Sequence, residues 1–95
     1  MDIKDYRKAI DRIDEQLLQL ISERMNVAAA IAEYKKENNL PVLDSGRERE
    51  KIRSVLENTP EELKDYTPRL FSLLFEVSRS YQNRIIGVDD KAAEK

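Results

Sequence analysis

Between Ile3 and Asn38 the chain contains neither proline nor glycine. Along this stretch apolar residues recur at Ile3, Tyr6, Ile10, Ile13, Leu17, Leu20, Val27, Ile31 and Tyr34. The spacing is mostly three or four, the seam of an amphipathic helix. Asp2 or Asp5 can cap its start, and Asn38-Asn39 followed by Pro41 ends it. At ~1.5 Å per residue such a helix is about 54 Å long. A compact globule of this chain length has a radius of gyration of about 12 Å and is roughly 32 Å across. The helix therefore cannot bury its whole seam within one chain. It must reach into a partner, and the simplest partner is a second copy. The expected architecture is all-α: a three-helix chain with one very long N-terminal helix, assembled as an intertwined homodimer.

The rest of the chain supplies two shorter helices. Leu40, Pro41, Val42 and Leu43 give the loop over 39–45 an apolar body. Ser45-Gly46-Arg47-Glu48 reads as a capping box opening a second helix, with an apolar face at Ile52, Val55 and Leu56 that runs to about Glu57. Thr59-Pro60-Glu61-Glu62 reads as a cap with proline at the first helical position, opening a short turn. Thr67-Pro68 repeats that signal and opens the third helix, whose inner face is Phe71, Leu74, Phe75, Tyr81 and Ile85. Gly87 stops it. Residues 1–87 thus form one domain. The charged, Ala-rich stretch over 88–95 is expected to be a disordered tail or a linker.

Composition excludes several kinds of chemistry. The 95 residues carry 17 Lys+Arg against 19 Asp+Glu, a net charge of −2. That balance offers no sequence-wide attraction to nucleic acid or to an anionic membrane, so any anion site must be local. Without cysteine there is neither a disulfide framework nor thiolate chemistry. Without histidine the usual general base and the commonest metal ligand are missing. The chain is expected to bind no metal and no cofactor, and to act without a proton shuttle or not at all. No apolar run reaches the roughly 20 residues of a membrane span, and no signal peptide opens the chain. The expected location is cytoplasmic.

The informative residues are polar ones standing in apolar slots. Arg24 occupies a seam position of the long helix. A guanidinium buried there without a partner costs on the order of several kcal/mol, so it pairs either with a carboxylate across a dimer or with a ligand carboxylate or phosphate. Lys35, 11 residues on, returns to within about 20° of the same face, roughly 16 Å along the axis. The two could grip a small anion from both ends; taken alone, Lys35 reads as a solvated lysine. Arg7, 17 residues before Arg24, lies roughly 25 Å away and about 100° around the helix. It is an ordinary surface arginine, unless antiparallel long helices in a dimer carry it to the partner's site. On the third helix Ser78 and Gln82, spaced i, i+4, interrupt the inner stripe and need hydrogen-bond partners, structural or otherwise. Asp44, Arg47 and Glu48 gather at the start of the second helix, where capping and charge pairing compete with an anion site.

Taken together these residues resemble the all-helical class of chorismate mutases. The resemblance runs from about Ile3 to Ile86. Arg7, the Ser-Glu-Arg24 stretch, Lys35, Pro-Val-Leu-Asp44 with Arg47-Glu48, and Glu-Val-Ser78 with Gln82 occur in the family's order at compatible spacings. The resemblance implies an intertwined dimer with two sites, each borrowing an arginine from the partner. It also implies the Claisen rearrangement of chorismate to prephenate, on the way to phenylalanine and tyrosine, with no cofactor and no net proton transfer. By the same analogy Arg24 and the partner's Arg7 hold the substrate carboxylates, assisted by Ser78. Lys35 and Gln82 donate to the ether oxygen. Glu48 accepts from the ring hydroxyl near the Asp44 backbone, Arg47 and Asp44 organise that end of the second helix, and Arg47 lines the site. Two other readings compete: an isochorismate pyruvate lyase of the same fold, which resembles the Asp44-x-x-Arg47-Glu48 pattern less well, and a noncatalytic helical dimerisation or regulatory module. The charged stretch over 88–95 would be either a natural end or a linker to a dehydratase, dehydrogenase or synthase domain.

Overall fold

The computed structural model describes residues 1–87, and the stretch read as a tail or linker lies outside them. Three helices carry the chain: α1 (Ile3–Glu37), α2 (Ser45–Glu57) and α3 (Thr67–Ile86), with a single 3-10 turn, Glu61–Leu63, before α3. Among the described residues there is no strand.

Both acids proposed for the start of α1 are used at once. Asp2 accepts from the Asp5 amide at 3.1 Å, and the Asp5 carboxylate accepts from the Asp2 amide at 3.0 Å, so two otherwise orphaned donors are satisfied reciprocally. At the other end the Asn38 amide and side chain both donate to the Tyr34 carbonyl, at 3.0 and 2.8 Å. Asn39 then turns into the left-handed region at φ 55°, a conformation that asparagine tolerates better than most residues, and the helix cannot resume.

α3 packs against the C-terminal part of α1. The contact is built from small residues on one side and large ones on the other: Ala28 and Ala32 are buried on α1, Phe75 and Gln82 on α3. Small alanine side chains allow close approach of two helices, and Phe75 also lines the cleft between α3 and α2 with Ile52 and Glu48. Phe71, Leu74, Tyr81 and Ile85 of the expected inner face are half-buried beside them. Gly87 ends α3 at φ 99°, a left-handed cap that glycine adopts without strain. α2 leans on α3 through Ile52, Val55 and Leu56, all half-buried.

Three local expectations need correction. Asp44, not Ser45, caps α2: its Oδ1 accepts from the Arg47 amide at 3.0 Å, and Ser45 is already the first helical residue. With the helix starting one residue earlier than a Ser45 cap would allow, Arg47 takes the third helical position and Glu48 falls beyond the capping position, free for other contacts. Pro60 sits at the cap position of the 3-10 turn rather than inside it. Thr67 does not cap α3; Tyr66 holds that position without a side-chain bond. The Thr59 hydroxyl donates back to the Val55 carbonyl and accepts from the Thr67 hydroxyl at 2.9 Å, which ties the end of α2 to the start of α3.

Among the described residues nothing covers the apolar seam of α1 from Ile3 to Leu20. Ile3, Ile10 and Leu17 are 59%, 55% and 49% exposed. The chain measures 54 × 25 × 25 Å with a radius of gyration of 16.5 Å, well above the ~12 Å of a compact chain of this length. Leu70, Leu73 and Val77 of α3 are exposed as well.

Candidate functional site

All three helices line one cleft of about 520 Å³. α1 contributes Arg24 with Glu23 and Ile31, α2 contributes Arg47 and Lys51, and α3 contributes Ser78. Three cations face one carboxylate, so the lining carries a formal charge of 3 − 1 = +2 in a chain whose net charge is −2. Arg24 is half-buried and forms no ion pair within 4.0 Å among the described residues. A part-buried guanidinium held beside two further cations is a site for an anion with more than one negative charge.

Gln82 backs the cleft through Ser78. Its Nε2 donates to Ser78 Oγ at 3.0 Å, and its Oε1 is buried with no partner among the described residues. Turning the amide by ~180° exchanges these atoms: the Ser78 hydroxyl then donates to Oε1, and Nε2 becomes an uncommitted donor. In either orientation one polar atom of a buried amide is left without a partner among the described residues.

Lys35 is half-buried at the end of α1 and donates to the Val42 carbonyl at 2.7 Å. That bond uses one of the three donors of the ammonium and folds the loop over 38–44 back onto α1. Asp44 is exposed and caps α2, while Arg47, three residues on, reaches the cleft. Glu48, next in sequence to Arg47, is not among the residues that line this cleft. Nη1 of Arg79 lies between its two carboxylate oxygens, 2.7 Å from Oε1, and it lines a neighbouring cleft with Ser72 and Phe75. Arg7 is exposed near the free end of α1. The chain thus brings Arg24, Arg47 and Ser78 into one cleft with Gln82 behind Ser78. It leaves Arg7 apart, and Lys35 and Glu48 are each held by a contact of their own.

Two residues of this region escape a reading of the sequence. Lys51 is one turn after Arg47 on α2, a spacing that puts both on one face and would have been the signal for it. Arg79 pairs across 31 residues, and no local pattern announces such a contact. Among the described residues no cluster of Asp and Glu is placed to hold a metal ion.

The geometry defines a class first: an all-helical chain with a cationic cleft and an uncovered helical arm. The family follows from the sequence, because residues 6–83 match chorismate mutase type II, and the chain belongs to that family. It is 30% identical over 89 residues to the chorismate mutase of Methanocaldococcus jannaschii, covering 88% of this chain and 87% of that protein. It is also similar to two proteins named bifunctional chorismate mutase/prephenate dehydratase. The one from Aquifex aeolicus is 46% identical over 55 residues, covering 58% of this chain and 15% of that protein. The one from Buchnera aphidicola subsp. Schizaphis graminum is 32% identical over 88 residues, covering 90% and 23%. The chain therefore spans less than a quarter of these bifunctional relatives. No solved structure matches at a significant level.

Proposed function

We propose that the chain is a chorismate mutase that rearranges chorismate to prephenate in a cytoplasmic homodimer. The observation that carries the reading is the cleft of Arg24, Arg47 and Ser78, backed by a buried amide with an unsatisfied atom, in a chain with neither His nor Cys. The rearrangement suits such a site. One ether C–O bond breaks as one C–C bond forms within a single cyclic array of six electrons, and no proton is gained or lost. What remains for the protein is to hold the folded conformer of a dianion and to stabilise charge on the departing ether oxygen.

In this reading Arg24 grips one substrate carboxylate, with Ser78 beside it. Lys35, with two donors uncommitted by Val42, and Gln82, with its amide turned, donate to the ether oxygen. Glu48 accepts from the ring hydroxyl near the α2 start that Asp44 caps, and Arg47 completes the cationic wall. The second carboxylate goes to Arg7 of the other copy, because ~25 Å of helix separates Arg7 from Arg24 within one chain. The exposed seam of Ile3, Ile10 and Leu17 supports the second copy, since so long an apolar stripe is stable only when covered. No described helix is long and apolar enough to cross a membrane.

The test is to incubate the purified chain, without added cofactor, with chorismate and separately with isochorismate, and to identify the products. Prephenate from chorismate is the expected result. Pyruvate released from isochorismate alone would make the chain a lyase, and no turnover of either would leave a noncatalytic module. Sedimentation of the active protein should give the mass of two chains.

A further inference from the structure

Arg79 has no part in the roles set out above, yet it makes a contact that reaches the site. It follows Ser78 directly and precedes Gln82 by three positions on α3. From there it crosses to α2 and places Nη1 between both oxygens of Glu48, at 2.7 Å from Oε1. The two side chains are 32% and 26% exposed. For this half-buried carboxylate the Arg79 guanidinium is the partner that the fold supplies, in a charge-assisted contact. Arg79–Glu48 is also the ion pair that joins two helices among the described residues. α2 leans on α3 rather than on α1, so this pair helps set where the first turn of α2, with Arg47 and Glu48, stands against Ser78 and Gln82.

We infer that Arg79 is a positioning residue, which fixes where the Glu48 carboxylate stands for accepting the ring hydroxyl of the substrate. The inference rests on the reading of Glu48 given above. The contact leaves room for that role: a carboxylate has about four lone-pair sites, and one guanidinium nitrogen occupies two of them. Because a single nitrogen serves both oxygens, a lysine ammonium can reproduce the charge and the contact, whereas an apolar side chain of similar length cannot.

The test compares kcat/KM for chorismate and for an analogue in which hydrogen replaces the ring hydroxyl. The variants are Arg79→Met, Arg79→Lys, Glu48→Gln and the double variant Arg79→Met/Glu48→Gln, each checked for folding by circular dichroism. Arg79→Met and Glu48→Gln should each lower kcat/KM for chorismate by about tenfold, the size expected for a lost hydrogen bond to a charged group. Each should leave the analogue within about twofold of its wild-type value. The double variant should be no worse than either single one, and Arg79→Lys should recover most of the loss. Should Arg79→Met fail to fold, the lysine variant carries the test through its discrimination between the two substrates, which should stay near that of the wild type. Equal losses on both substrates in the Arg79 variants, or a loss confined to Glu48→Gln, would overturn the inference and leave Glu48 in its role. A Glu48→Gln variant that treats both substrates alike would instead overturn the role of Glu48, and the inference with it.

Discussion

The ammonium of Lys35 donates to the carbonyl of Val42 at 2.7 Å, so the side chain proposed to serve the ether oxygen also anchors the loop after α1. Two functions on one residue make its removal informative. Lys35→Ala should lower kcat by about 10²–10³, the usual effect of deleting one donor to a developing oxyanion. It should reduce stability by only about 1 kcal/mol, the net worth of one hydrogen bond. Steady-state kinetics and denaturant unfolding measure the two separately. A variant that keeps more than half of the wild-type kcat/KM would remove Lys35 from the chemistry.

Gln82→Glu should convert a nearly flat pH–rate profile into an acid-favouring one. The side chain is buried beside Ser78, and burial disfavours the charged form of an introduced carboxyl, raising its pKa. Below that pKa the neutral acid donates to the ether oxygen as the amide does; above it the carboxylate cannot donate and repels the charge that develops there. Activity should therefore fall as pH rises through the introduced group's pKa. Coincident profiles for the variant and the wild type would show that Gln82 does not face the ether oxygen.

Arg24→Leu restores an apolar residue to the helical seam. Arg24 is half-buried and without an ion pair among the described residues, so the variant should be folded and at least as stable as the wild type, with chorismate turnover nearly abolished. Thermal unfolding and a product assay decide it. Marked loss of stability would mean instead that Arg24 serves a carboxylate across the dimer.

Arg7→Ala and Lys35→Ala, each nearly inactive as a homodimer, should complement when unfolded together and refolded as a mixture. In the mixed dimer one site has lost both groups and the other has kept both. Random pairing makes about half the dimers mixed, with half their sites whole, so roughly one quarter of wild-type activity returns under two-fold symmetry. Sites built within single chains would recover nothing, provided circular dichroism and sizing show that the mixture has refolded.

Asp44→Ala should destabilise the protein by about 1 kcal/mol through loss of the α2 cap, whereas Ser45→Ala should change stability by less than about 0.5 kcal/mol. Urea unfolding of both variants measures the contrast, and the reverse order would return the cap to Ser45.

How much of this could be read without coordinates divides along a physical line. Periodicity and the positions of proline, glycine and asparagine report the local backbone. From them follow the three helices, the length of α1, the stop at Gly87, and a seam that one chain cannot cover. They also expose the misfits: Arg24, Ser78 and Gln82 stand out because each is a polar group in an apolar stripe. What periodicity cannot supply is the neighbour. That α3 seats on Ala28 and Ala32, that Lys51 joins Arg24 and Arg47, that Lys35 reaches Val42, and that Arg79 takes Glu48 across 31 residues are facts about packing between elements. Even the one-residue shift of the α2 cap from Ser45 to Asp44 belongs to this second kind, because both residues are good caps and the direction of the incoming loop selects between them. Contacts between helices depend on how the surfaces fit, and a residue's own sequence neighbours carry almost no information about that fit.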